Sequence, residues 1–269
     1  AGKSLKGIKR VIYRWAWNFG NTFDYERLTP VRVLLNKLFD KLVYSKWRQN
    51  LGGHEMLLVT GGSSIRACVI RLFSAAKMYI YEGYGLTETA PVIAVNNPKE
   101  RIRKIGTVGK VMTGTELMFA PDGEILTRGP HLMMGYYKDP EATKQVIDSD
   151  GWFHTGDVGK MVNGIYLKIT DRKKEIFKLS NGKYVAPQMV ENKLNESPYI
   201  ESSFVIGSNQ KVAAAIIIPN AVQVQAWAAH QKMVFQDLDN LYKTREVNKL
   251  IHKEIERVNK NLAPHEQIK

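Results

Sequence analysis

The sequence has few of the features that mark secreted, membrane-spanning or metal-binding proteins. Its single cysteine, Cys68, excludes an internal disulfide and indicates a reducing, cytoplasmic compartment. No apolar run is long enough to span a bilayer, and no secretory signal pattern is present. The six histidines lack metal-ligand spacing. Internal repeats and low-complexity segments are absent as well, so we expect an ordinary globular protein.

Acidic residues are in short supply. The chain has 39 Lys and Arg against 26 Asp and Glu, which gives a net charge of +13. This balance favours anionic partners such as nucleotides, coenzyme A or anionic lipid. No nucleic-acid-binding motif accompanies the charge, so we expect no nucleic-acid partner. A length of 269 residues is enough for one large domain or two smaller ones.

The first twenty residues have the pattern of a basic amphipathic helix. Lysine and arginine fill the gaps between apolar residues at helical spacing, which are Leu5, Ile8, Val11, Ile12, Trp15 and Phe19. Two interpretations remain open. The helix can pack on the body of a larger protein, or it can make a peripheral contact at the inner membrane face.

A turn and two strand-like runs surround Asp157. The carboxylate follows Gly156, so the backbone can approach a ligand closely beside it. A carboxylate there can accept two hydrogen bonds from a sugar diol. Arg172, after the second run, is a planar cation that can meet a ribose or phosphate oxygen. By itself, Thr-Gly-Asp is also typical of a simple turn.

A second motif, Gly83-Tyr84-Gly85-Leu86-Thr87-Glu88-Thr89, makes the first one specific. The pattern predicts a strand over 78–81 that opens into this loop, at the edge of the sheet where α/β proteins bind ligands. With both motifs, the chain resembles the adenylate-forming superfamily and, within it, the long-chain fatty acyl-CoA synthetases. Residues 150–174 look like the fatty-acyl synthetase signature, and the resemblance extends from about residue 44 to residue 269.

The resemblance implies a role for each residue of the second motif. Tyr84 would face the adenine base, and Gly83 and Gly85 would leave room for the adenine or the acyl carbonyl. Thr87 would bond a phosphate, and Glu88 would hold Mg²⁺ on that phosphate. These implied roles make Thr87 and Glu88 candidate catalytic residues that bind ATP or AMP.

A glycine turn at Gly61 and Gly62 lies where the family has a Ser-Gly-Gly-Ala-Pro turn that lines the adenine and acyl site. This chain has Ser63-Ser64 in place of Ala-Pro, which alters the fine contacts. The pattern predicts a strand over 56–59 before the turn and a helix over 65–76 after it.

The basic stretch after Arg172 resembles the family's hinge. The residue two after the arginine is Lys174, and the resemblance implies that a small C-terminal domain swings on it between two poses. Residues 180–184, with Gly182, would then face the adenylate when coenzyme A attacks, and Lys178 would contribute there.

The sequence thus predicts an α/β fold. Residues 1–173 would form the later part of the large domain, including a small β-rich subdomain over 106–137. Residues 174–269 would form a small mobile α/β domain, with helices over 187–195, 221–230 and 244–258 and strands over 201–206 and 212–218, the last of them buried. A further helix is predicted over 31–49.

The expected function is that of a fatty acid–CoA ligase fragment. Fatty acid, ATP and Mg²⁺ would give acyl-AMP, and coenzyme A would then take the acyl group. The family's triphosphate loop and its C-terminal catalytic lysine are not found, so we expect the chain alone to be inactive. Two alternatives stay open: an adenylating enzyme with another acceptor, such as a carrier-protein thiol, and a non-catalytic membrane-surface module.

Overall fold

The computed structural model describes residues 5–53, 57–98 and 102–269 and confirms a mixed α/β fold. Residues 1–4 of the predicted basic amphipathic helix and residue 56 of the predicted strand over 56–59 lie outside the described residues. The α-helices are α1 (Gly7–Asn21), α2 (Pro30–Phe39), α3 (Ser45–Asn50), α4 (Ala67–Ala75), α5 (Pro140–Val146), α6 (Pro187–Leu194), α7 (Ala221–His230), α8 (Leu238–Lys243) and α9 (Arg245–Asn259). The strands are β1 (Leu58–Thr60), β2 (Ile80–Tyr84), β3 (Ala94–Val95), β4 (Gly109–Val111), β5 (Glu116–Phe119), β6 (Glu124–Arg128), β7 (Phe153–Val162), β8 (Tyr166–Arg172), β9 (Phe177–Lys178), β10 (Tyr184–Val185), β11 (Ile200–Ile206) and β12 (Ala214–Pro219).

Eight strands form one sheet in the order β1-β2-β3-β4-β8-β7-β6-β5. Strands β1 and β2 are parallel, whereas β3 is antiparallel to β2 and to β4. The β-rich character predicted for 106–137 is present as β4, β5 and β6, and these strands are part of the same sheet as the others. Strand β4 pairs with both β3 and β8, so the hydrogen-bonded ladder runs on from the first strands without a break.

Strand β2 differs from the prediction, because it spans Ile80–Tyr84 rather than 78–81. Gly83 and Tyr84 pair with Val95 and Ala94 of β3, so they belong to the strand and not to the loop after it. The helix predicted over 65–76 begins only at Ala67, because Arg66 has an extended backbone.

The helix predicted over 31–49 is interrupted by a π-helical turn over Asp40–Tyr44. This wide turn lets two consecutive residues, Val43 and Tyr44, both point into the core. The Tyr44 hydroxyl donates a hydrogen bond of 2.6 Å to the carbonyl of Ala16 in α1, which satisfies a buried polar group and ties the two helices together.

The chain divides into two compact units, residues 1–155 with 159–169 and residues 156–158 with 170–269. In the first unit, α1, α4 and the π-helical turn pack around a core that includes Ala16, Phe39 and Tyr44. In the second, α6, α9 and the β11–β12 pair enclose a core that includes Val190, Leu194 and Ile200. The sequence-based boundary between 173 and 174 stays a prediction.

The apolar run in β12 is less buried than predicted. Ile216 and Ile218 remain about half exposed, because only one face of the antiparallel β11–β12 pair packs on helices. Strand β12 therefore has the alternation of a sheet with one open face. Helix α8 has no counterpart among the predicted elements, since it is only six residues long.

Across the described residues, we find no helix with the length and hydrophobicity needed to cross a bilayer.

Candidate functional site

Asp157 lies within strand β7 and is only 4% exposed. Its Oδ1 atom is 3.2 Å from Nε of Arg172, the last residue of β8. The arginine side chain is 57% exposed, so one partner is buried and the other reaches solvent. The structure therefore brings together the two residues that the sequence predicts to meet a ribose.

Backbone contacts hold this pair in place. Gly156 has φ of +70°, a conformation that favours glycine, and its carbonyl accepts a 2.8 Å hydrogen bond from the amide of Lys173. The Thr170 hydroxyl donates to the carbonyl of Val158 at 3.0 Å. Each residue flanking Asp157 is thus bonded to a residue near Arg172, which fixes the register of the carboxylate against the guanidinium.

Lys174 lies in the turn that follows β8 and is exposed. The amides of Glu175 and Ile176 donate to the carbonyl of Arg172 at 3.0 and 3.2 Å, so the turn is hydrogen-bonded. A few backbone torsions in such a connection can absorb a rotation. The role of Lys174 as a hinge stays a prediction.

Lys178 and Gly182 belong to the short β9–β10 hairpin. The Lys178 ammonium lies 5.7 Å from the ring centroid of Tyr184, within reach of a cation–π contact. Gly182 has φ of +84° and donates its amide to the carbonyl of Leu179, so it closes the turn. Both predicted residues are exposed on the same hairpin, where a ligand can reach them.

The predicted glycine stretches come together at the β1–β2 pair. A Cβ placed on Gly61 would lie 3.4 Å from the carbonyl oxygen of Gly83, so the two backbones approach closely. Gly62 follows with φ of +77°. Without side chains, Gly61 and Gly62 leave the backbone uncovered at the carboxyl ends of the parallel strands β1 and β2. This is the edge of the sheet where α/β folds place ligands.

Gly85 directly follows Tyr84, the last residue of β2. A Cβ on Gly85 would overlap the backbone carbonyl of Pro91, whereas one on Gly83 would meet nothing closer than 3.8 Å. The Tyr84 carbonyl accepts a 2.7 Å hydrogen bond from the amide of Ile93. The segment around residues 91–93 therefore folds back tightly on the end of β2.

Thr87 and Glu88 form a short 3₁₀ turn after this strand. Oε1 of Glu88 accepts a 2.9 Å hydrogen bond from the hydroxyl of Tyr136, and the Glu88 carbonyl accepts one from the amide of Met133. Burial and, after it, the contact with Glu88 raise the pKa of Tyr136. The sequence analysis missed Tyr136, although a tyrosine after Gly135 in a loop is a signal for an accessible hydroxyl.

Glu82 is a second functional candidate that the sequence analysis missed. It faces a small cavity with Tyr25, Asn96 and Arg103, and its Oε2 atom is buried without a hydrogen-bond partner. Burial raises the pKa of Glu82 to about 7, although a hydrogen bond from the side chain of Asn96 opposes the shift. A carboxyl group beside Gly83 therefore titrates near neutral pH.

Magnesium would need oxygen ligands. No group of three or more His, Cys, Asp and Glu side chains gathers in the part of the chain that the structure describes. Glu88 fits the role of a single protein ligand, because Tyr136 contacts only one of its two oxygens. An ion held mainly by nucleotide phosphates and water requires no more than that.

Comparison with known families agrees with this geometry. Residues 26–137 match the AMP-binding enzyme family, and residues 174–269 match the AMP-binding enzyme C-terminal domain. The chain therefore belongs to the AMP-binding, adenylate-forming enzymes.

Within this family, the chain is similar to curated long-chain-fatty-acid–CoA ligases. The chain is 35% identical to human long-chain-fatty-acid–CoA ligase 1 over 96% of its own length and 39% of the human protein. It is 40% identical to the long-chain-fatty-acid–CoA ligase FadD15 of Mycobacterium bovis over 71% of the chain and 31% of that protein. It thus spans about two-fifths or less of the length of these relatives.

Solved structures show the same fold at lower identity. The adenylation domain of a carboxylate reductase from Mycobacterium chelonae aligns with a TM-score of 0.63 at 22% identity, over 97% of this chain and 39% of that one. The anthranilate CoA ligase AuaEII, in complex with anthranoyl-AMP, aligns with a TM-score of 0.60 at 20% identity, over 79% of this chain and 38% of that one.

Gly85→Ala and Gly83→Ala make a matched pair of variants. We expect Gly85→Ala to lower the free energy of unfolding by more than about 2 kcal/mol, because the new methyl group overlaps backbone that cannot give way. Gly83→Ala meets only ordinary contacts and should cost less than about 1 kcal/mol. Urea unfolding of both variants measures the difference, and equal losses would contradict this account of the strand end.

Proposed function

We propose that this chain is part of an AMP-forming long-chain fatty acid–CoA ligase. The observation that carries the proposal is the buried Asp157 carboxylate paired with Arg172, which suits a ribose diol. The identity of 35% to human long-chain-fatty-acid–CoA ligase 1 supports the choice of acid and acceptor. Fatty acid, ATP and coenzyme A are the proposed substrates.

The first half-reaction joins the fatty acid carboxylate to the α-phosphate of ATP and releases pyrophosphate. In this step Tyr84, Gly83 and Gly85 would hold the adenine, and Thr87 would donate a hydrogen bond to phosphate. Asp157 and Arg172 would orient the ribose. Mg²⁺, held by Glu88, would supply charge neutralisation on the phosphates. Catalysis then comes from orientation and electrostatic stabilisation, with no covalent enzyme intermediate.

In the second half-reaction the coenzyme A thiol attacks the acyl carbonyl, the acyl–phosphate bond breaks, and AMP leaves. We assign the change between the two steps to rotation about Lys174, with the domain boundary between 173 and 174. Exposure of Lys178 and Gly182 on one hairpin supports their proposed place beside the adenylate in this step. We expect no turnover from the chain alone, and acyl-CoA formation by the purified chain would overturn that expectation.

An acceptor other than coenzyme A remains the alternative for the second step. The carboxylate reductase neighbour shows that the same fold occurs outside the CoA ligases. Supplying the full-length enzyme with coenzyme A or with a phosphopantetheinyl carrier protein separates the two acceptors, because only the true one consumes the acyl-adenylate.

Binding of the intermediate tests the proposal most simply. We expect the chain to bind a non-hydrolysable acyl-sulfamoyl adenosine, with an affinity that rises from short to long acyl chains as more CH₂ groups leave water. Asp157→Asn should weaken binding by about tenfold or more, because it removes a charged acceptor for the diol. Calorimetry measures both effects.

Asp239→Asn is the matched control, because Asp239 is exposed in α8 and lies outside the proposed site. It should bind the analogue like the parent chain. Absence of binding by a folded parent chain would contradict the proposal for this chain, and equal loss in both variants would contradict the role of Asp157.

Peripheral membrane contact is a second candidate function, and one feature of α1 favours it. Ile8 and Trp15 are 76% and 62% exposed on a helix whose lysine and arginine side chains are exposed as well. An apolar row flanked by cations matches the surface of an anionic bilayer.

Double substitution of Ile8→Ser and Trp15→Ser should abolish sedimentation of the chain with phosphatidylglycerol vesicles, because it removes the apolar row. Val234→Ser, at an exposed position in the second unit, is the control and should leave sedimentation unchanged. Unchanged sedimentation of the double variant, or none by the parent chain, would overturn this candidate.

A further inference from the structure

Asp171 is a fully buried carboxylate to which neither the family resemblance nor the proposed chemistry assigns a role. It lies in β8 immediately before Arg172 and is 0% exposed. Its Oδ1 atom accepts a 2.7 Å hydrogen bond from the amide of Arg172, and its Oδ2 atom accepts a 2.9 Å hydrogen bond from the amide of Gln188. One carboxylate therefore joins two segments that are sixteen residues apart in the chain.

The contact with Gln188 replaces a missing helix cap. Gln188 is the second residue of α6, and its amide is one of the donors that a helix cannot satisfy internally. Ala186, at the cap position, has no side chain that could accept, and Pro187 has no amide hydrogen to donate. Asp171 supplies the acceptor from a strand, and a negative charge there is favoured by the helix dipole.

The surroundings make this carboxylate costly to keep charged. The pKa of Asp171 is raised to about 6, mainly by burial and also by the nearby carboxylates of Glu175 and Glu191, against the two backbone hydrogen bonds, which lower it. Glu175 follows β8 in the turn, and Glu191 lies in α6. A helix cap alone does not require a fully buried charge, since Ser, Thr or Asn caps a helix equally well.

The hydrogen bond from the Arg172 amide to Asp171 holds the backbone of a residue of the candidate site. The Arg172 side chain is more than half exposed and reaches Asp157 at 3.2 Å, so its direction depends on how firmly its own backbone is held. The Arg172 amide is bonded to Asp171, and its carbonyl accepts from the amides of Glu175 and Ile176. The Asp171 carboxylate also bonds the amide of Gln188 in α6, so it links the backbone of Arg172, where the turn after β8 begins, to that helix.

We propose that Asp171 is a positioning residue, whose carboxylate fixes the Arg172 backbone against the first turn of α6 so that the guanidinium meets Asp157 and the ribose. The inference rests on the proposed function, because it assigns Arg172 to the ribose. Asp171 itself touches no ligand. It acts through Arg172, and it does so in the ionised form, which can accept both hydrogen bonds at once.

Protonation of Asp171 has opposite effects on ligand affinity and on stability. Below pH 6 one oxygen carries a proton and accepts poorly, so affinity for the adenylate falls as the pH drops. The folded pKa of Asp171 lies above the ordinary value of 3.8. Its contribution to folding stability is therefore present at low pH and is lost as the pH rises through about 6. If Asp171 had a purely structural role, ligand affinity and folding stability would change in the same direction with pH.

The test compares the parent chain, Asp171→Asn and Glu175→Gln by calorimetry with acyl-sulfamoyl adenosine between pH 5 and pH 8. This probe is chosen because it has no phosphate that titrates in the range. We expect Asp171→Asn to weaken binding by about tenfold at pH 7.5, since an amide oxygen replaces two charged acceptors, without lowering the thermal midpoint. The parent should approach the variant at pH 5, and the variant should lose this pH dependence.

Glu175→Gln is the matched control. It removes a neighbouring negative charge, so Asp171 ionises more easily and the midpoint of the affinity curve should move to lower pH while affinity at pH 7.5 stays the same. Parent-like binding by Asp171→Asn at pH 7.5 would overturn the proposal, and so would weaker binding with the parental pH dependence.

Amide hydrogen exchange separates this inference from the proposed function. Asp171→Asn should speed exchange at the amide of Arg172 or of Gln188 at least about tenfold, because the asparagine has one acceptor oxygen for two donors and one of them is left without a partner. If the folded parent chain binds no analogue, the proposed function fails for this chain, and exchange alone then decides the positioning role. Unchanged exchange at both amides would overturn it.

Discussion

The burial of the Asp157 carboxylate is the constraint on which the β7–β8 region depends. A carboxylate that is 4% exposed is expensive unless a cation or hydrogen-bond donors meet it. Arg172 supplies the cation, and the flanking backbone supplies the register through Gly156 and Thr170. Gly156 adopts its positive φ without strain, which gives the backbone the shape it has directly before Asp157. The placement of the buried carboxylate therefore depends on the glycine as well as on Arg172.

The end of strand β2 is constrained sterically, by the backbone that packs against it. Gly85 is required there because the backbone of Pro91 occupies the position that a side chain would fill. Gly83 is not required for packing, because a side chain there would meet only ordinary contacts. Glu88 follows within one turn and is oriented by the hydroxyl of Tyr136. The two glycines of the motif therefore differ, since packing requires Gly85 but not Gly83.

Local signals in the sequence predicted much of this architecture. The two strand-like runs around Asp157 correspond to β7 and β8, and the helices α6, α7 and α9 lie within a residue or two of their predicted positions. Contacts between distant segments could not be predicted in this way. Tyr136 reaches Glu88 across 48 residues, and Asp171 reaches Gln188 across 17. The exposure of Ile216 depends on which face of a two-stranded sheet the helices cover, which the apolar run does not encode.

We propose that this chain recognises the ribose of an adenylate through Asp157. The most direct measurement compares the dissociation constants of AMP and 2′,3′-dideoxy-AMP by calorimetry on the same preparation. The two ligands share the base and the phosphate and differ only in the diol. We expect loss of the diol to weaken binding by about tenfold or more, because hydrogen bonds to a charged acceptor are lost with it. Equal affinity for the two ligands would contradict it.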